Sequence, residues 1–337
     1  MNTQPEQLKH LGFFAIFKES YKIIVSNWRY IFSKIFLALI FPFCLLMLAD
    51  MLISSHLQGR IIDNAINLYD MDSTNRYYDS MKRELSLHST LLGVFTLLYF
   101  LVGLLVLNLF AISAISYAVV CIYASKDTNF KQVIRVVPKA WKKLVLTYLW
   151  NLFLQLVFIA VFIALAVLCL VIGIRAQQIA AIVVGVIVVI LFIMGIIYFN
   201  VMWGMASVVS ALEECRGPRA FRRGGDLMKG KKKLNIGVYM VFLVLLVVIQ
   251  GGYWVLAGLF NSSLPIVVYV IVAIVFFLLL LGLVMLGLVV QTVLYLVCKS
   301  YHNESIDKAS LGDQLDGNMG GSYGRLGGAK DVQLGEV

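Results

Sequence analysis

The chain has 337 residues, of which 61% are apolar and only 14% charged, with a net charge of +10 at neutral pH. A mean hydropathy of +0.90 excludes an ordinary soluble globular domain and predicts an all-α integral membrane protein. The positive charge does not point to nucleic acid, because it is gathered into short stretches between apolar runs and no nucleic-acid-binding module accompanies it.

The first predicted element is an amphipathic helix near the N-terminus, within a segment 1–30. Phe14, Phe17, Tyr21, Ile24 and Trp28 recur at spacings of three and four, so they share one helix face. Lys18, Lys22 and Arg29 fall beside that face, where their stems can lie along lipid while the cationic heads reach phosphate. A helix lying in the plane of the interface follows. The apolar run that starts at Ile31 is too long for the core of a cleavable signal peptide and is expected to remain as an anchor.

Six apolar runs, about 31–53, 90–122, 144–174, 179–212, 234–259 and 264–298, can each cross a hydrocarbon core of roughly 30 Å. Several exceed 25 residues, which predicts tilt, a kink or extension beyond the bilayer, with Pro42 as a kink in the first. Between the first two runs lies an extracytosolic loop, 54–89, in which Leu57–Tyr69 reads as a short amphipathic helix on the outer surface. Asp70-Met-Asp-Ser-Thr74 matches the DxDxT string of aspartyl-phosphate phosphatases, but that chemistry needs an α/β domain that a 36-residue loop cannot contain. As a calcium loop it lacks Gly at Asn75 and Glu at Met81.

The basic cytosolic loop 123–143 repeats the pattern of the N-terminal helix. Phe130, Val133, Ile134, Val137 and Trp141 take one face, with Lys131, Arg135, Lys139 and Lys142 on the other, Lys143 following and Pro138 predicting a break near Val137. A third basic loop, 213–233, keeps Phe221 and Met228, carries Arg222, Arg223 and Lys231–Lys233, and has Gly224 and Gly225 at the matching apolar positions. It is expected to form the least stable helix of the three. Phe17 to Trp28, Phe130 to Trp141 and Phe221 to Lys232 are each eleven residues apart. That regularity predicts three repeats of an interfacial helix followed by a transmembrane hairpin.

Of the 28 Lys and Arg, 23 fall at the termini and in the two basic loops, and five fall on the other side. The asymmetry predicts that both termini are cytosolic. The basic helices then face the anionic lipids of the cytosolic leaflet, either as anchors or as a dedicated lipid- or partner-binding surface. An endomembrane or the plasma membrane is expected, with no signal that chooses between them.

No ionisable residue falls in the middle of a predicted span, and Asp50, Glu213 and Glu214 lie at helix ends where water is expected to reach them. This speaks against proton coupling and against intramembrane proteolysis. Thr147, Asn151 and Gln155 follow one another at i+4 down the third span, while Asn108, Ser113, Ser116, Asn200, Ser207, Gln291 and Thr292 are scattered over others. Such groups read as hydrogen bonds between helices, with a polar path lined by the Thr147/Asn151/Gln155 stripe as the alternative. Cys121, Cys215 and Cys298 sit at span ends and are S-palmitoylation candidates, or ordinary boundary thiols. Neither cysteine nor histidine spacing suggests a metal site, no cofactor motif occurs, and no enzyme is expected.

From Lys299 the sequence loses periodicity and 311–337 is rich in Gly, which predicts a mostly disordered cytosolic tail, 299–337, with a short helix as a further reading of its polar start at 298–308. Its opening stretch, Cys298-Lys-Ser-Tyr-His-Asn-Glu-Ser-Ile-Asp-Lys308, and the later Asp331-Val-Gln-Leu334 resemble the ends of a land-plant group of six-pass membrane proteins. More remotely, Ala220-Phe-Arg-Arg and Leu227-Met-Lys-Gly230 are similar to a segment of bacterial membrane domains, some of them fused to glycerophosphoryl diester phosphodiesterases. Gly224 stands where that pattern has Ser, and no phosphodiesterase domain is present. The resemblance implies a membrane domain without enzyme activity and transfers no functional residue. The expected role is a non-catalytic scaffold or adaptor, contacting lipid through its basic helices and a protein partner through its tail. The alternative is a transporter, channel or lipid-handling protein with a polar cavity between the repeats.

Overall fold

The computed structural model describes residues 12–70, 77–124, 130–175, 178–260 and 266–302, and every described element is helical. Helix α1 is Phe13–Ser26, and α2 covers residues 28–70, with π turns at Trp28–Phe32 and Phe36–Ile40 before a regular helix Phe41–Asp70. Helix α3 (Tyr78–Tyr123) contains a π stretch at Tyr99–Asn108, followed by α4 (Phe130–Arg175) and α5 (Gln178–Leu212). Helix α6 is Pro218–Leu227, α7 is Lys232–Phe260 and α8 is Ile266–Tyr301. Six stretches are long and apolar enough to cross a membrane, namely Trp28–Asp50, Tyr78–Tyr123, Gln132–Cys169, Val183–Leu212, Lys232–Tyr253 and Ile271–Tyr301. The chain is an all-α integral membrane protein.

Three local expectations are corrected. Leu57–Tyr69 is not a separate surface helix, because it continues the axis of α2 without a break to Asp70. Of the DxDxT string only Asp70 lies inside the described residues. Pro138 does not interrupt α4, which runs for 46 residues, roughly 69 Å at 1.5 Å per residue. The second basic segment is therefore the first part of a long helix rather than a separate one. Pro42 stands in the first turn of the regular part of α2, directly after the π turns at 36–40, where the wider register accommodates a residue with no N–H to donate.

Packing is concentrated at one end of the molecule, the end that carries the basic loops. There Val289–Ser300 of α8 is buried on all faces apart from Gln291, which is half-buried, and Ala111–Cys121 of α3 is buried throughout. Helix α8 is the hub, touching α1, α2, α3, α5, α6 and α7. At the opposite end the hairpins separate. Over 153–169 and 183–194 most apolar side chains of α4 and α5 point outward, and the two helices hold each other through Phe158, Phe162, Phe192 and Phe199. In the absence of water such outward-facing Val, Ile and Leu are what lipid requires.

Helix α1 keeps Phe14, Tyr21 and Trp28 of its aromatic face outward and packs a second apolar face on the protein, which its spacing does not mark. Ile16, Ser20 and Ile23 are buried against α8 and α7, and Phe17 stacks on Phe242 at 5.7 Å. Phe14, Tyr21, Val25 and Trp28 remain exposed. The helix is docked on the bundle as well as apolar on its outer side.

Candidate functional site

Polar side chains stitch the packed end together. Ser116 and Thr292 meet at 3.2 Å between α3 and α8. Thr147 bonds Ser210 at 2.9 Å between α4 and α5, and its Oγ1 also accepts the Gly217 N–H at 2.9 Å. Gly217 has φ +52°, ψ −126°, a conformation natural only to glycine, and Pro218 follows it at the first position of α6. Trp141, expected as an interfacial anchor, is half-buried and donates its indole N–H to the Leu105 carbonyl at 2.8 Å, within the π stretch of α3.

The Thr147/Asn151/Gln155 stripe is therefore a seam. Thr147 and Asn151 are buried and Gln155 is half-buried, Thr147 spans to α5, and Asn151 Oδ1 has no partner among the described residues. The opening lies elsewhere. A cleft of about 410 Å³ is bounded by α2, α3, α5, α7 and α8. Its polar lining is Asn108, Asn200, Asn235 and Gln291, with Tyr99 and Tyr239, and its apolar lining includes Phe43, Met47, Leu243, Leu246 and Leu283. Among the described residues no charged side chain lines it. Gln291 donates to the Gly204 carbonyl and to Ser207 Oγ at 3.0 Å, which fixes its level against α5. Asn235 is buried; its Nδ2 bonds the Lys231 carbonyl at 3.0 Å and Cys298 Sγ at 3.5 Å, while its Oδ1 has no partner.

Glu213 is not the water-exposed helix end expected from the sequence. Its carboxylate accepts from Tyr295 Oη at 2.7 Å, pairs with Lys299 at 3.5 Å and with Arg223 at 3.3 Å. Lys299, placed in a disordered tail by composition, is a buried residue of α8, and His302 approaches the Leu227 carbonyl at 3.1 Å. The tail begins later, and residues 303–337, with most of the distinctive motif, lie outside the described residues.

The cations expected at lipid headgroups divide into two sets. Lys18, Lys22, Arg29, Arg135, Lys142, Arg222, Lys232 and Lys233 are exposed, and Lys143 is half-buried. Arg223 is tied to Glu213, and Lys231 lies over the Tyr301 ring at 5.3 Å, so both are also engaged within the protein. The side chain of Lys131 lies outside what the structure describes. Cys121 and Cys298 are fully buried, which withholds them from acylation, whereas Cys215 is half-buried between α5 and α6. Among the described residues, no three His, Cys, Asp or Glu side chains gather where they could hold a metal ion.

Asn235 and Tyr239 were not singled out by sequence reasoning, and the amides Asn108, Asn200 and Gln291 were read as links between helices. A usable signal was present. Asn235 follows the basic run by two residues, so it marks the polar mouth of the fifth span.

The chain belongs to a family described as a domain of unknown function (DUF8558), which matches residues 1–337. No match was found among curated proteins or among solved structures.

Proposed function

We propose that this is a lipid-handling membrane protein whose cleft receives the hydrocarbon part of an uncharged amphiphile from the leaflet at the basic end. The observation that carries this reading is the lining of the cleft, which is mostly apolar, carries four amides and, among the described residues, no charged side chain. Its volume, about 410 Å³, falls in the range of small-molecule sites. From Asn235 to Leu246 the lining of α7 spans eleven residues, roughly 16 Å, which is about half a hydrocarbon core. A ligand of that leaflet can thus lie with its polar group at Asn235 and its chain toward the midplane. The orphaned Asn235 Oδ1 favours a hydroxyl-bearing head that donates a hydrogen bond.

In this reading the basic end is cytosolic, as the charge asymmetry indicates, and α1, the start of α4 and α6 are three copies of one basic amphipathic segment, of which the second runs on unbroken into its span. The packed layer of α1, α6 and the ends of α3, α5 and α8 then stands at and beyond the headgroups, holding the hairpins from below. The role is non-catalytic.

The test is to purify the chain from membranes, extract retained lipid and identify it by mass spectrometry, beside Leu246→Trp and Gly287→Leu, which fill the cleft. Retention of a neutral lipid by the natural chain and its loss from both variants is the expected result. Equal lipid content in all three would remove this reading. The scaffold reading would then stand, supported by the row of exposed cations Lys18, Lys22, Arg29, Arg135 and Lys142.

A further inference from the structure

A second pocket, of about 220 Å³, lies on the other flank of the α5–α7 seam, beneath α6. Three of its side chains are cations, Arg222 and Lys229 from the α6 region and Lys232 at the start of α7. One carboxylate, Asp226, is present and is taken by Lys229 at 2.6 Å. Arg222 and Lys232 make no ion pair among the described residues. Tyr198, Val201, Met202 and Ile236 of the membrane-crossing helices form an apolar wall, with Phe221, Gly225 and Met228 of the α6 region completing the lining.

We infer that this pocket binds the phosphate of an anionic lipid headgroup, with the lipid's glycerol and upper chain against the Tyr198–Val201–Ile236 wall. Two features select a membrane lipid over a soluble anion. The cations occupy only one rim, and the opposite wall is apolar surface that a free phosphate would leave bare. Lys232 begins a span and Tyr198 is the type of residue that settles at headgroup level, so the pocket sits where lipid phosphates are found. A planar guanidinium and an ammonium together present a fork and a point charge, which match the oxygens of one phosphate.

Gly225 is part of the geometry. A Cβ there would meet Met202 Cε at 3.2 Å, so a side chain at this position would press into the pocket. The site is separate from the cleft of the proposed function and stands or falls independently of it.

The test uses the full-length protein in neutral detergent, with phosphatidylcholine, phosphatidic acid or phosphatidylserine added and adducts counted by native mass spectrometry. Anionic lipid is expected to bind in preference to phosphatidylcholine. R222Q combined with K232Q should weaken that binding roughly tenfold or more, G225L should lower it without removing a cation, and K18Q with K22Q should leave it unchanged. The cleft-filling Gly287→Leu should also leave it unchanged, which separates this site from the other. Equal binding by natural chain and R222Q/K232Q, loss in K18Q/K22Q of the same size, or displacement of the lipid by millimolar inorganic phosphate would each overturn the assignment.

Discussion

Tyr295 of α8 donates its phenolic hydrogen to Glu213 Oε1 at 2.7 Å, and the same oxygen lies 3.5 Å from Lys299 Nζ. One carboxylate at the end of α5 thus holds two residues one turn apart on the hub helix, while its other oxygen holds Arg223 of α6. The Glu213 and Lys299 side chains are only 14% and 10% exposed, so removing one leaves the other poorly compensated. Glu213→Gln is expected to cost about 3 kcal/mol because Lys299 would be left uncompensated. Tyr295→Phe should cost about 1 to 2 kcal/mol. Thermal unfolding of the two variants in detergent checks both the order and the size. A Glu213→Gln variant as stable as the natural chain would show that the carboxylate does not hold this junction.

The connection from α5 to α6 depends on two glycines for different reasons. Gly217 adopts a backbone conformation that a side chain strains, and its N–H is fixed by Thr147. Gly224 lets α6 approach α5, since a Cβ there would lie 3.2 Å from the Ala206 backbone nitrogen. Gly217→Ala should cost about 1 to 3 kcal/mol through strain, and Gly224→Val a similar amount through overpacking. Protease cleavage between residues 212 and 232 should accelerate in both variants, and protection equal to the natural chain would refute the prediction.

The three cysteines at span ends should differ sharply in reactivity. Cys121 and Cys298 are enclosed in the core, so a maleimide should leave them unmodified until the protein unfolds, while Cys215 reacts. The same order applies to acylation in cells. Labelling of Cys298 at the rate of Cys215 in the folded protein would show that α8 is not buried as described.

The helical class, the number of spans and the basic end were legible because length, hydropathy and charge decide them one segment at a time. What was not legible is which apolar face meets protein and which meets lipid. In α1 the spacing marks Phe14, Tyr21 and Trp28 as a lipid side, and they stay exposed, but it gives no sign that Ile16, Ser20 and Ile23 pack on the bundle. Both faces are apolar, and hydrophobicity does not separate a helix neighbour from an acyl chain. Lys299 was lost to the tail for a related reason. A helix surrounded on every side has no amphipathic period to show where it ends. The cleft was missed because its amides come from four different helices, Asn108, Asn200, Asn235 and Gln291, while the stripe that sequence favoured lies on one. In α6 a propensity scale registers Gly224 only as a weak helix former and not as a point of close approach.

Asp226 makes anionic-lipid binding depend on pH in a direction that can be worked out. Its hydrogen bond from Lys229 and that residue's charge, assisted by Arg223 and Arg222, hold its carboxyl below the ordinary aspartate value. A group lowered in this way favours the folded arrangement above its unfolded value, and the benefit is lost as pH falls through the folded one. Near neutrality Asp226 is therefore ionised and offsets one of the three cations in the pocket. Asp226→Asn is expected to strengthen phosphatidic acid binding several-fold at pH 7, because Lys229 would then face the headgroup rather than a carboxylate. In the natural chain the affinity should be flat from pH 7 down to 5, as far as this carboxylate is concerned, and should rise only below the usual carboxylate range. Native mass spectrometry with the lipid at each pH reads both effects. Weaker binding by Asp226→Asn would mean that the Asp226–Lys229 pair shapes the pocket and that its carboxylate does not compete for the cation.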